Sequence, residues 1–138
     1  MGRILALDYG KVRCGLAVSD PLKMIANGLD TVGRKDLNDE LSRLLKEYEI
    51  ERLVIGEPKR HSGESSEVER DIQKLIRTLQ SNHPDLPISR MDERFTSKMA
   101  MDAMITMGAT RKQRQQKGNI DKISATLILQ DYLNNPLT

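Results

Sequence analysis

Apolar residues come early and in short runs along this chain. "RILALD" (3–8) and "CGLAVS" (14–19) each have strand length, and the turn between them contains Gly10. A third run, "IANGLDTV" (25–32), predicts a shorter strand with a bulge or bend at Gly28. The spacing then changes. "DLNDELSRLLKEY" sets Leu37, Leu41, Leu44, Leu45 and Tyr48 on one helical face, with Asp36 placed to cap it. "RLVIGEP" (52–58) reads as a buried strand stopped by Gly56 and Pro58. "SSEVERDIQKLIRTLQ" returns to helical spacing through Val68, Ile72, Leu75, Ile76 and Leu79.

A strand is expected at about 87–92 in "PISRMDERF". "TSKMAMDAMITMG" follows as a helix, with Thr96 or Ser97 as its cap and Gly108 as its stop. A last helix is expected from about 120 to 133. Three strands, then strands alternating with helices, predict an α/β fold: a mixed sheet flanked by helices. Active sites in such sheets form where parallel strands end and their connections diverge.

Composition narrows the setting without naming a chemistry. The 138 residues suit a single domain, 1–138, with one sizeable core. No apolar stretch is long enough to span a bilayer and no export signal opens the chain, so a cytoplasmic protein without a membrane partner is expected. Cys14 is the only cysteine, which excludes an internal disulfide and fits a reducing compartment. A net charge of +2 says little about partners, so charge distribution must carry that case.

Asp8, Glu57, Asp92 and Glu93 all fall at the C-terminal ends of expected strands. Aspartate is depleted in strands, and a charge there calls for a metal, a partner or water. The competing account of Asp8 is a turn-starting residue. A hard divalent ion such as Mg²⁺ or Mn²⁺ takes oxygen ligands, and clustered carboxylates from several elements supply them. Two such ions about 3.5–4 Å apart can activate water and stabilise the leaving oxygen in phosphodiester hydrolysis.

"LALDYGKVRCGLAVSD", "VIGEP", "MDERFTS" and "KGNIDKISATLIL", in that order and spacing, resemble the YqgF family over nearly the whole chain. Members of that family are described as Holliday junction resolvases and as pre-16S rRNA nucleases. The resemblance implies a ribonuclease H-like fold, with a mixed five-stranded sheet of order 3-2-1-4-5. It also implies a metal-dependent nuclease that matures the 5′ end of small-subunit ribosomal RNA. Its metal-binding and catalytic residues would be Asp8, Glu93 and Asp121. Asp92 and Glu57 are secondary candidates for the metal. Asp92 and Glu93 lie on opposite sides of a regular strand, and Glu93 is preferred on family position and reach. Glu57 departs from the family, which commonly has an apolar residue there. Asp121 has a competing role as a helix cap.

From Arg90 to Lys122 eight Lys/Arg stand against four Asp/Glu, and "RKQRQQK" (111–117) contains no acid. Arg111, Lys112, Arg114 and Lys117, with Lys11, Arg13 and Arg94 nearer the acids, are the candidate phosphate contacts. A solvated loop is the plainer account of 111–117. No Trp and one Phe leave little for base stacking, which favours recognition of backbone and shape. The expected partners are structured precursor rRNA or branched DNA, and ribosomal precursor particles. The protein itself would be a monomer or a weak homodimer.

Three classes of function follow. A metal-dependent nuclease leads, whether acting on pre-16S rRNA or as a Holliday junction resolvase. A sugar-kinase or actin-like ATP-binding protein would need two such lobes. A non-catalytic RNA-binding assembly factor would keep the fold and dispense with the carboxylates. His61 and His83 are isolated, and five of the seven methionines fall between 91 and 107, a stripe that reads as adaptable core.

Overall fold

The two N-terminal apolar runs form an antiparallel hairpin, β1 (Arg3–Tyr9) and β2 (Arg13–Ser19). The computed structural model describes residues 2–10, 12–57, 63–92 and 117–134, apart from the side chains of 63–66, 92 and 117–123. The helix expected over 96–108 and the basic residues 111–116 lie outside the described residues. Gly10 is required by the hairpin turn. A Cβ there would come within 2.2 Å of the Arg13 carbonyl oxygen, a backbone atom that cannot swing aside. Gly10→Ala is therefore expected to lower stability by about 1–3 kcal/mol, the usual range for overpacking, read as the urea midpoint at unchanged slope.

The third run is one edge broken in two. β3 (Ala26–Gly28) pairs with Ala17–Ser19, and β4 (Val32–Gly33) pairs with Arg13–Cys14. Between the pairs Ala17↔Gly28 and Cys14↔Val32, β2 advances three residues while the edge advances four. That extra residue falls among 29–31, just after Gly28, the position where the bulge or bend was expected. A 3₁₀ turn (Arg34–Asp36) leads into α1 (Leu37–Glu47). Asp36 occupies the cap position, but its carboxylate makes no capping hydrogen bond; the Leu37 N–H donates to the Arg34 carbonyl instead.

β5 (Ile50–Glu57) runs parallel to β1, and β6 (Ile88–Asp92) parallel to β5. The sheet order is β3-β2-β1-β5-β6, with β4 continuing the β3 edge. This is the expected 3-2-1-4-5 order once β3 and β4 are counted as one edge. α2 (Gly63–Asn82) connects β5 to β6, and α3 (Lys117–Asn134) is the last helix described.

Strand alternation divides the core into two layers. Leu5, Leu7, Leu16, Val18, Leu53 and Ile55 meet Leu41 and Leu44 of α1 and Ile72, Leu75 and Leu79 of α2. On the other face Ile4, Ala6, Ala17, Val54 and Met91 meet Ala125, Ile128, Leu129 and Tyr132 of α3. Leu, Ile and Val thicken the first layer, whereas alanines bring α3 close to the sheet. Two arginines tie α2 down at its edges. Arg34 pairs with Asp71 at 3.1 Å and lies over the Tyr9 ring, while Arg90 pairs with Glu69. Burial raises the Tyr9 phenol above its ordinary pKa, and the Arg34 charge opposes that shift.

Candidate active site at the C-terminal end of the sheet

Asp8 is the penultimate residue of β1 and is half-buried. Ile4 and Ala6 face α3, so alternation puts Asp8 on the same side. Its antiparallel partner on β2 is Gly15. One step past the parallel pair Leu7↔Ile55, its neighbour on β5 is Gly56, which pairs in turn with Met91 of β6. The row across this face therefore reads Gly15, Asp8, Gly56, Met91. The carboxylate is flanked on both sides by residues without side chains. A turn-starting aspartate has no need of that clearance; a carboxylate that meets an ion and a phosphate does.

The height of α3 can be followed from its other end. Gln130 accepts from the Ala26 N–H at 3.1 Å and donates to the Met24 carbonyl at 3.3 Å. Ala26 pairs with Ser19, whose hydroxyl accepts from the Ile4 N–H at 2.9 Å, so Gln130 sits near the level of Ile4. Asp8 is four strand residues above Ile4, about 13 Å. Position 121 is nine helical residues before Gln130, about 13.5 Å. The two rises are of similar length, and position 121 lies one turn before Ala125, which packs on the sheet face that also bears Asp8.

Helix α3 starts at Lys117, earlier than expected, and Asp121 is its fifth residue rather than a cap. The early start goes unseen in the sequence because Lys117, Gly118 and Asn119 read as a loop. Ser124, in the next turn, is buried, and its hydroxyl has no hydrogen-bond partner among the described residues. Such a group costs about 1–3 kcal/mol if left unsatisfied.

The remaining candidates divide. Arg13 begins β2 on the Asp8 face, two residues before Gly15, and is half-buried. Glu57 follows Leu53 and Ile55, so alternation assigns it to the α1/α2 side, away from Asp8. It pairs in register with Asp92, the last residue of β6. Ile88 packs on the α1/α2 layer and Met91 on the α3 layer, which fixes the two sides of β6. Lys117 lies in the first turn of α3. Lys11, Glu93, Arg94, Arg111, Lys112 and Arg114 lie outside the described residues. Among the described residues no three His, Cys, Asp or Glu side chains converge as a metal-binding group, and no helix is long and apolar enough to cross a membrane.

Comparison with known proteins meets this geometry from another direction. The family described as "RuvX: Holliday junction resolvase" matches residues 2–135. A Bacteroides fragilis protein named "Putative pre-16S rRNA nuclease" is 46% identical over 133 residues, 96% of each chain. A Christiangramia forsetii protein of the same name is 48% identical over 133 residues, 96% of this chain and 98% of that one. Among solved structures, Thermus thermophilus RuvC in complex with a Holliday junction substrate superposes with a TM-score of 0.60 at 12% identity. That match covers 97% of this chain and 96% of the other. Fowlpox virus resolvase with its Holliday junction DNA gives a TM-score of 0.60 at 13% identity over 99% of both chains. At such identities the likeness is one of fold, and the fold is ribonuclease H-like.

Proposed function

The chain belongs to the RuvX family of Holliday junction resolvases, and from that premise we propose that it is a metal-dependent nuclease acting on structured nucleic acid, with precursor 16S rRNA as its natural substrate. The observation that carries this reading is the row Gly15, Asp8, Gly56 on the sheet face that α3 covers. Relatives at 46–48% identity, named for pre-16S rRNA, favour RNA over DNA.

Asp8, Glu93 and Asp121 would hold Mg²⁺ or Mn²⁺. A hard ion asks for oxygen donors, which is what these three residues offer. Glu93 is preferred to Asp92 on family position and reach. Glu57 is left out of the set, since it extends the opposite layer. The orphaned Ser124 hydroxyl adds a buried polar atom to the same stretch of α3 that carries Asp121. When bound, the metal supplies an activated water and stabilises the charge that develops on the leaving oxygen. The protein's own part is to hold the phosphodiester in line over Asp8. Arg13 on the Asp8 face, Lys11 and Arg94 nearby in sequence, and the basic run from Arg111 to Lys117 hold the flanking phosphates.

The test is cleavage by the purified protein of precursor rRNA and of a four-way DNA junction, with and without Mn²⁺. Metal-dependent cleavage of the RNA is expected. Cleavage of the junction alone would favour the resolvase reading, which the family description and the two junction-bound structures support. A resolvase makes two symmetric cuts and should act as a dimer. Cleavage of neither, with RNA binding retained, would favour a non-catalytic assembly factor working on ribosomal precursor particles.

The basic run has its own expected result. Replacing Arg111, Lys112, Arg114 and Lys117 with Gln should weaken binding to all sequences alike and reduce the log–log salt slope by up to about 3–4. A titration of affinity against KCl reads it. An unchanged slope would make the run a solvated loop.

A further inference from the structure

Arg90 is a charged residue in the middle of β6, and most of its donors are committed to the protein. Its Nε donates to the Ile55 carbonyl at 3.3 Å and its Nη2 to the Gly56 carbonyl at 3.1 Å. Nη1 and Nη2 donate to the two oxygens of Glu69 at 3.0 and 2.8 Å, a bidentate pair. Four of the five N–H donors are thereby used, and the side chain is only 19% exposed. It is therefore not available to a nucleic-acid phosphate.

The guanidinium joins three elements at one point: β6, which carries it, the end of β5, and α2 through Glu69. Both carbonyls that it holds lie just before Glu57 ends β5, and Gly56 stands directly beside Asp8 in the row. β6 itself ends two residues on, at Asp92. Ladder pairing already binds β6 to β5 along this length. What Arg90 adds is a lock at the C-terminal ends of β5 and β6, placed on the face opposite to Asp8.

We propose that Arg90, braced by Glu69, is a positioning residue for the metal site, holding the ends of β5 and β6 in register beside Asp8. This rests on the assignment of that site under the proposed function. A two-ion site holds its ions about 3.5–4 Å apart and tolerates ligand errors of only about 0.5 Å.

The test reads Mn²⁺ binding by calorimetry without nucleic acid, beside amide exchange and the melting temperature. Arg90→Gln is expected to weaken Mn²⁺ binding about tenfold, the range typical of partners that orient metal ligands. Exchange at the Gly56 and Glu57 amides should speed up in the same variant. Arg90→Lys should not restore binding, because a compact ammonium cannot span two carbonyls and a carboxylate as the planar fork does. Should Arg90→Gln fail to fold, Glu69→Gln, which keeps one acceptor oxygen, carries the same expectation in weaker form. A lowered melting temperature with unchanged Mn²⁺ affinity would overturn the positioning role and leave the metal site standing. A parent chain that binds no Mn²⁺ would overturn the site assignment and this role with it.

Discussion

Asp8→Asn should leave a folded protein that no longer cleaves. The substitution is nearly isosteric, and its neighbours across the sheet are Gly15 and Gly56, which have no side chains to be disturbed. In metal-free buffer the melting temperature should stay within a few degrees of the parent. It can even rise, because the proposed site sets other acids near Asp8 and one of those charges is removed. Cleavage is a different matter. Residues that merely orient a metal ligand are worth about 10–100-fold, so loss of a direct ligand should exceed that range. Thermal shift supplies a readout free of activity. At Mn²⁺ a hundredfold above its dissociation constant the parent should gain about 2.7 kcal/mol, and Asp8→Asn should gain little. A variant with parental cleavage would remove Asp8 from the active site.

Asp8 was legible in the sequence as a candidate; what surrounds it was not. A carboxylate ending an apolar run stands out against the residues around it, and the hairpin strands were readable to within a residue because their apolar runs are bounded by turns. Gly15 and Gly56 could not be assigned to Asp8, since they reach it only through the pairings Asp8↔Gly15 and Leu7↔Ile55. Register is a property of two strands together. A slip of one residue between β1 and β5 would bring Glu57 beside Asp8 and move Gly56 to the other face. The sequence contains both possibilities, and only the packing of Leu5, Leu7, Leu53 and Ile55 into one layer selects between them. The edge strand shows the same limit. Gly28 announced a bulge, but the break into β3 and β4 depends on what β2 offers for pairing. Arg90 was further still from view. As one member of a charged stretch it resembles its neighbours, and its role emerges from Glu69, Ile55 and Gly56, which are 21 or more residues away in the chain.

Asp121 is where catalysis and helix capping can be told apart, and the start of α3 makes the separation cleaner. With the helix beginning at Lys117, Asp121 is past the first turn, beyond the N–H groups that a cap would serve. The macrodipole also weakens within that turn, so little charge stabilisation is at stake. Asp121→Asn and Asp121→Ala should therefore both melt close to the parent in metal-free buffer. Alanine carries a small advantage of helix propensity, no more than about 0.7 kcal/mol. Cleavage should fall severely in both, because asparagine keeps an acceptor oxygen but loses the negative charge that a hard cation requires. Binding of nucleic acid without metal should survive, since the phosphate contacts are made by other residues and one acidic repulsion has gone. If Asp8 and Asp121 serve one metal site, their effects cannot simply add. The double variant Asp8→Asn, Asp121→Asn should cleave about as slowly as the worse single variant, as residues acting as a unit do. Multiplicative losses would mean two independent functions. Full cleavage by Asp121→Asn, together with a loss of about 1 kcal/mol of stability in Asp121→Ala, would make Asp121 a cap after all. The metal would then have to be held by Asp8 and the acids that follow β6, with the Gly15–Asp8–Gly56 row as their only fixed reference.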